Sequence, residues 1–385
     1  MVQALPKGQL VSDFESTFAK SKALYEAARE FVAGGIAHDG RHQKPFPIYV
    51  DHADGAYKWE VSGTRIIDFA MGHGALILGH GDPDVKAAMH AQIDKGTHYG
   101  SGHEGERTWA ELICRLIPSA ERVRFVGSGT EANLLAMRLA RTCTGKNTVL
   151  KFEGHFHGWN DYLIKSEKPP FESTSVAGVP DEVLRTVAVV PANEPDALEE
   201  RLTQGDVAAV VIEPSGASWG QIPLDPTFLR TVRDLTTKYN VVLIFDEVIT
   251  GFRWSPGGAQ GRFEITPDMT TMAKIVAGGL PGGAVAGRQE IMEFLEFRDD
   301  AGWGKRKIIH PGTFNANPVT AAAATACLTK CANPAVQQHC DEMTARLRIG
   351  MNTVLENRSL PGCVWGESSA FHVILDQTPS NRTAG

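Results

Sequence analysis

The run Val241-Val242-Leu243-Ile244-Phe245 ends in Asp246-Glu247, and Lys274 follows in Pro267-Asp268-Met269-Thr270-Thr271-Met272-Ala273-Lys274. Five apolar residues closing on a carboxylate read as a buried parallel strand that delivers Asp246 to its carboxyl edge, where open α/β sheets hold ligands. A carboxylate in a dry place and a lysine able to lose its proton are the two groups that pyridoxal phosphate takes from a protein. The first keeps the pyridine nitrogen protonated, and the second forms a Schiff base. Taken alone, the pair is better explained as an ordinary buried strand with a capping carboxylate and a lysine that is only surface charge.

Two neighbouring segments change that balance. Arg124-Phe125-Val126-Gly127-Ser128-Gly129-Thr130-Glu131 reads as a short strand, a glycine turn and a helix start. Helix-terminal amides, small residues and the Ser128 and Thr130 hydroxyls make a phosphate cradle, although the same residues also cap helices that bind nothing. In Lys151-Phe152-Glu153-Gly154-His155-Phe156-His157-Gly158-Trp159, Phe156 stands between two histidines on a glycine-flanked loop and can stack on a flat heteroaromatic ring. A core phenylalanine with polar neighbours remains the plainer alternative. His155 and His157 have no third ligand at suitable spacing, so no metal site is assigned.

Together these fragments resemble class III pyridoxal-phosphate aminotransferases of fold type I, and within that class the group of glutamate-1-semialdehyde 2,1-aminomutase and related aminotransferases. The likeness runs from about Ser21 to Ala324, through Leu76 to His80, Val123 to Ala132, Phe152 to Gly158, Val211 to Pro214, Ile244 to Arg253, Gly257 to Gln260, Thr266 to Gly283 and Thr313 to Pro318. The resemblance implies an α/β fold: a large domain over 76–315 with a mostly parallel seven-stranded sheet, and a smaller α+β domain built from both chain ends. Residues 1–75 would be its N-terminal segment and 316–385 its C-terminal part, which reads as incomplete.

The same resemblance assigns roles. Lys274 would carry the Schiff base and act as general base, and Asp246 would partner the pyridine nitrogen. Ser128, Gly129 and Thr130 would hold the phosphate, with Phe156 on one ring face and Val248 on the other. His157, Glu213 and Ser218 would complete the cofactor site. Thr313 matches a threonine that reaches the phosphate from a neighbouring subunit, which implies a homodimer. Arg41 would grip a substrate carboxylate, as a guanidinium fork suits one, and His73 stands where the aminomutase has a pocket tryptophan. Ser218 falls where the aminomutase has an asparagine. Lys165 to Thr174, with two prolines, replaces its Gly-Ser-rich gating loop. These departures favour a transaminase acting on small amino acid and oxo substrates, with the intramolecular aminomutase or a catalytically poor cofactor binder as alternatives. Ile249 replaces a glutamine common in ornithine-type and omega-aminotransferases, which argues against those branches.

Composition agrees. The chain has 385 residues, 42% of them hydrophobic, and a formal net charge of -7, which argues against a nucleic-acid footprint. No apolar run reaches bilayer length and no signal-peptide core is present, so a cytoplasmic protein is expected. The six cysteines read as reduced, buried thiols. Phe14 to Val32 reads as one amphipathic helix. Ala56 to Val61 and Arg65 to Phe69 form a hairpin, and strands are expected at 123–126, 148–151, 187–190, 208–213 and 241–246. A helical stretch runs from Ala321 to Leu355. Phe371 to Leu375 reads as the first strand of the small domain, followed by a polar tail, Asp376 to Gly385, that stops early for the family.

Overall fold

The computed structural model describes residues 7–172 and 175–375, and the chain divides into two compact units after Pro83. In the first, β1 (Val50–Asp54), β2 (Tyr57–Glu60) and β3 (Arg65–Ile67) form an antiparallel sheet. The expected hairpin is β2 and β3. Its connection needs Gly63, whose φ of 91° lies where a side chain is strained. The single helix expected over 14–32 is instead two, Lys7–Thr17 and Ala19–Ala28, broken at Phe18, whose φ/ψ of −112°/32° is not helical. At this break Phe14 packs on both Phe18 and the buried Phe46, with ring centroids 4.8 and 5.2 Å apart. Beyond Ala28, Val32-Ala33-Gly34-Gly35 is too poor in helix formers to continue.

The second unit is built on β4 (Arg122–Val126), β5 (Thr148–Phe152), β6 (Val187–Val190), β7 (Val207–Ile212), β8 (Ile222–Pro223), β9 (Val242–Asp246), β10 (Met269–Ala273) and β11 (Gly283–Gly287). Seven of them form one sheet in the order β4-β11-β10-β9-β7-β5-β6, parallel except for β11, which runs antiparallel to both its neighbours. This is the mostly parallel α/β sheet expected. Alternate residues serve opposite faces. Val149, Val211 and Ile244 join the core beneath the Gly129–Thr144 helix, whereas Leu150, Ile212 and Phe245 join the core beneath the Pro195–Leu202 and Pro226–Lys238 helices.

β10 and β11 escape a reading of apolar runs because one is rich in threonine and the other is Gly-Ala-Val-Ala-Gly. The glycines of β11 have a packing reason: a Cβ on Gly283 would lie 2.8 Å from the Met272 carbonyl oxygen, and one on Gly287 2.7 Å from Met269 Cγ. The helical stretch expected over 321–355 is two helices, Pro318–Cys331 and Ala335–Asn357, separated at Asn333-Pro334, where proline cannot continue a helix. Gly362–Trp365 (β12) pairs antiparallel with His372–Leu375 (β13). The tail from Asp376 to Gly385 lies outside the described residues.

None of the six cysteines forms a disulfide. The expectation of buried thiols holds for Cys327 and Cys331, one helical turn apart, but Cys114, Cys143 and Cys363 are exposed. Each lies at a solvent-facing position of an amphipathic element, where burial is not required. Among the described residues no helix is long and apolar enough to cross a membrane.

Candidate active site

Because β4, β5, β7, β9 and β10 point the same way, their carboxyl ends share one edge of the sheet. The loops leaving that edge carry Ser128 to Thr130, His155 to Gly158, Glu213, Asp246 to Val248 and Lys274. The β9 period places Asp246 on the face of Val242 and Ile244, toward the Gly129–Thr144 helix.

Asp246 is 4% exposed and three donors converge on it. Its Oδ2 accepts from His157 Nδ1 at 2.7 Å and from Asn133 Nδ2 at 2.9 Å, and its Oδ1 accepts from the Val248 N–H at 3.1 Å. Burial holds the His157 imidazole below its usual range although the Asp246 bond opposes it. Neutral His157 therefore donates through Nδ1. Asn133 is held in turn by Thr271, whose Oγ1 donates to Asn133 Oδ1 at 3.0 Å. Thr271 is also the β10 residue paired with Asp246 across the sheet. Glu247 points elsewhere, accepting from the Ala259 and Gln260 N–H groups, Gln260 Nε2 and Thr250 Oγ1, and so fastens the 257–260 turn.

Lys274 lies three residues beyond Thr271, at the start of a 3-10 turn, with φ of 57°. A β-carbon-bearing residue in that region is strained, and such strain gathers at functional positions. Burial lowers the basicity of its amine, Asp246 and Glu213 oppose that, and Arg253 adds to it. Among the described residues it forms no salt bridge.

The glycine turn after β4 lies against the same groups. A Cβ on Gly129 would stand 2.9 Å from Val248 Cγ2 and 3.5 Å from the Cβ of Ala273, the residue before Lys274. A Cβ on Gly158 would stand 2.3 Å from Thr130 Oγ1. Both glycines let these loops approach so closely that a side chain at either would collide with its neighbour. Ser128 caps the helix, its Oγ accepting from the Glu131 N–H at 3.2 Å. Its hydroxyl is thereby used in the capping role, while the Gly129 and Thr130 amides in the first turn have no intrahelical acceptor.

Phe156 is 47% exposed beside the buried His155 and His157, as a ring available to a ligand would be. Its N–H donates at 2.7 Å to Glu213 Oε1, which also accepts from the Ser218 N–H at 3.1 Å, while Oε2 accepts from the Trp219 N–H at 3.0 Å. Burial, reinforced by the Asp246 charge, raises Glu213 to about 8 despite those three N–H groups. Glu213 thus ties the Phe156 loop to the Ser218 turn, where Ser218 and Trp219 have φ of 48° and 57°.

Sequence reasoning gave no role to Asn133, Thr271 or Lys151. The signal for each was a polar residue at a core position: Asn133 in an Ala-Asn-Leu-Leu helix face, Thr271 next to the Asp246 strand, and Lys151 inside an apolar strand. Thr313 is exposed and makes none of the contacts above. Arg41 and His73 belong to the first unit, Arg41 in a 3-10 turn and His73, with φ of 55°, stacked on His38 at 5.0 Å. Of the loop expected to gate the site, Ser173 and Thr174 lie outside the described residues. A cleft of about 250 Å³ lined by Trp219, Trp254 and Trp365 contains neither Asp246 nor Lys274.

Residues 39–374 match the class III aminotransferases. The chain is 44% identical to a glutamate-1-semialdehyde 2,1-aminomutase of Sulfurisphaera tokodaii, over 80% of this chain and 72% of that protein. The crystal structure of an omega-transaminase from Sphaerobacter thermophilus superposes with a TM-score of 0.86 at 38% identity, covering 93% of this chain and 83% of that one. A transaminase with pyridoxal phosphate bound superposes with a TM-score of 0.88 at 32% identity, covering 94% and 85%. The cofactor fits the residues present: first-turn amides without an intrahelical acceptor, glycines that bring the loops close together, an exposed aromatic ring, a buried carboxylate and a lysine of lowered basicity. The chain belongs to the class III aminotransferases and is a pyridoxal-phosphate enzyme of the α/β fold shared by that family.

Proposed function

We propose that the chain is an aminotransferase that moves an amino group between an amino acid and an oxo acid or aldehyde, with Lys274 as the lysine that holds the cofactor. The observation that carries this reading is the pairing of Asp246, braced by three donors at the end of β9, with Lys274 beyond the neighbouring strand. When bound, pyridoxal phosphate supplies an aldehyde that takes up amines as a Schiff base and a protonated ring that draws electrons from the adjoining carbon.

The chain's own residues do the rest. The Gly129 and Thr130 amides would hold the phosphate, with the Phe156 ring and the Val248 side chain beside the cofactor. Asp246 would partner the ring nitrogen, and His157 and Asn133 keep its carboxylate from turning away. Lys274, its basicity lowered by burial, would hold the cofactor and, when freed, would be the chain's base for moving the proton of the substrate alpha carbon. Arg41 at the substrate carboxylate, His73 and Ser218 in the pocket, and Thr313 acting across a homodimer interface belong to the same proposal.

The aminomutase is the second reading, favoured by the 44% identity to the Sulfurisphaera tokodaii protein. A half-reaction screen with α-, β- and D-amino acids and glutamate-1-semialdehyde separates the two. Release of an oxo product is expected; retention of the nitrogen within one product molecule selects the aminomutase. Lys274→Ala should still bind cofactor but lose turnover, and full activity in that variant refutes the assignment.

A further inference from the structure

β5 reads Thr148-Val149-Leu150-Lys151-Phe152, and all five residues are buried, Lys151 at 0% exposure. Its Nζ donates to three backbone carbonyls: His155 O at 2.7 Å, Leu163 O at 2.7 Å and Lys165 O at 2.9 Å. Three acceptors match the three N–H bonds of an ammonium, whereas a neutral amine offers two. Among the described residues Lys151 forms no salt bridge. Burial draws it down to about 8 against the opposing charges of Glu213, Glu167 and Asp246.

Removing an ammonium from water costs several kcal/mol, and an apolar residue would fill this strand position without that cost. The compensation is local. All three carbonyls belong to the connection between β5 and β6, and His155 directly precedes Phe156 and His157. Asn160 adds to the same bundle, donating from Nδ2 to His157 O at 3.3 Å and accepting the Leu163 N–H at 3.0 Å. With His157 bonded to Asp246 and the Phe156 N–H to Glu213, displacement of the His155 carbonyl would pass to both.

We propose that Lys151 is a positioning residue of the cofactor site: its ammonium gathers the carbonyls of His155, Leu163 and Lys165 and thereby sets where Phe156 and His157 stand. This rests on the roles given above to Phe156 and His157. It makes Lys151 a second lysine on which the site depends, one that never touches the cofactor.

The test compares Lys151→Met, which fills the space without donors, with Leu198→Ala, a buried core change in the Pro195–Leu202 helix. Apoprotein melting temperature, affinity for pyridoxal phosphate and the visible absorbance maximum of the reconstituted protein are measured for each. Lys151→Met is expected to fold, to bind cofactor about tenfold or more weakly and to shift the absorbance maximum. Leu198→Ala should lose thermal stability with both cofactor readouts unchanged. A folded Lys151→Met with unchanged affinity and absorbance overturns the proposal. Should that variant not fold, Lys151→Gln, which keeps two donors, is judged by the same readouts. Loss of folding in both would assign Lys151 to the fold and overturn the proposal equally. A visible Schiff-base band that survives Lys274→Ala would instead refute the site reading itself, whatever Lys151→Met does.

Discussion

Asp246→Asn isolates the charge at the end of β9. The amide keeps the carboxylate's shape but has one acceptor in place of two. With its oxygen at the Oδ2 position it still receives His157 Nδ1 and Asn133 Nδ2, bonded in the parent at 2.7 and 2.9 Å. Its NH2 then meets the Val248 N–H that Oδ1 accepted at 3.1 Å, and two donors face each other. That lost bond costs about 1–3 kcal/mol of stability. The larger effect is on the chemistry. A carboxylate about 4 Å from a protonated ring nitrogen contributes about 4 kcal/mol at an effective dielectric of about 20, or about a thousandfold in rate if the transition state feels the whole of it. The assay is a rapid-mixing half-reaction between an amino donor and the reconstituted variant, followed by the absorbance of the cofactor. The variant should bind cofactor and react about a thousandfold more slowly. A rate within about tenfold of the parent would refute the electrostatic role, since that leaves only about 1.4 kcal/mol for it.

Gly158→Ala places a Cβ 2.3 Å from Thr130 Oγ1 at a backbone φ of 89°, so strain and collision both fall on the proposed phosphate cradle. Stability should drop by about 1–3 kcal/mol, and cofactor affinity should fall with it; titration of the folded apoprotein at unchanged affinity would separate Gly158 from the site. Glu213→Gln tests a pH effect. Because the folded group is raised from 4.5 to about 8, its contribution to stability is full below the unfolded value and is lost as pH rises through about 8. Melting curves should therefore show the parent losing stability relative to Glu213→Gln across that interval, and a difference independent of pH would sink the assignment.

The strand carrying Asp246 was legible because a fully buried parallel strand writes a continuous apolar run, and its final carboxylate marks the edge where that run meets solvent or ligand. The glycine turn before the Gly129–Thr144 helix was legible for a similar reason, since backbone contact demands small residues in sequence. β10 and β11 were not, because glycine and threonine there answer to neighbours distant in the chain: Gly283 to Met272, Thr271 to Asn133. The N-terminal helix was overextended because periodicity records which face is apolar and not where Phe18 leaves the helical region. The supporting polar residues were hidden for one common reason. Asn133, Thr271 and Lys151 are defined by partners 24 or more residues away or by carbonyls, which have no letter in the sequence.

These partners explain how separate loops can hold a fixed geometry. The Gly129–Thr144 helix would offer its first amides to the phosphate and, four residues after Gly129, turns Asn133 toward Asp246. Four residues rise about 6 Å along a helix, so in the proposed site one rigid element would space the phosphate end from the ring-nitrogen end. The β9–β10 register ties the second spacing: Thr271 sits beside Asp246, bonds Asn133, and precedes Lys274 by three residues. Strand pairing therefore sets how far Lys274 stands from Asp246, and in the proposed site the helix would set how far the phosphate stands from it. Only the Phe156–His157 side is left to a loop, and there the structure spends a buried ammonium. In the proposed site, two spacings would come from regular secondary structure and the third from Lys151, whose buried ammonium in β5 holds a loop where no strand pairing or helix reaches.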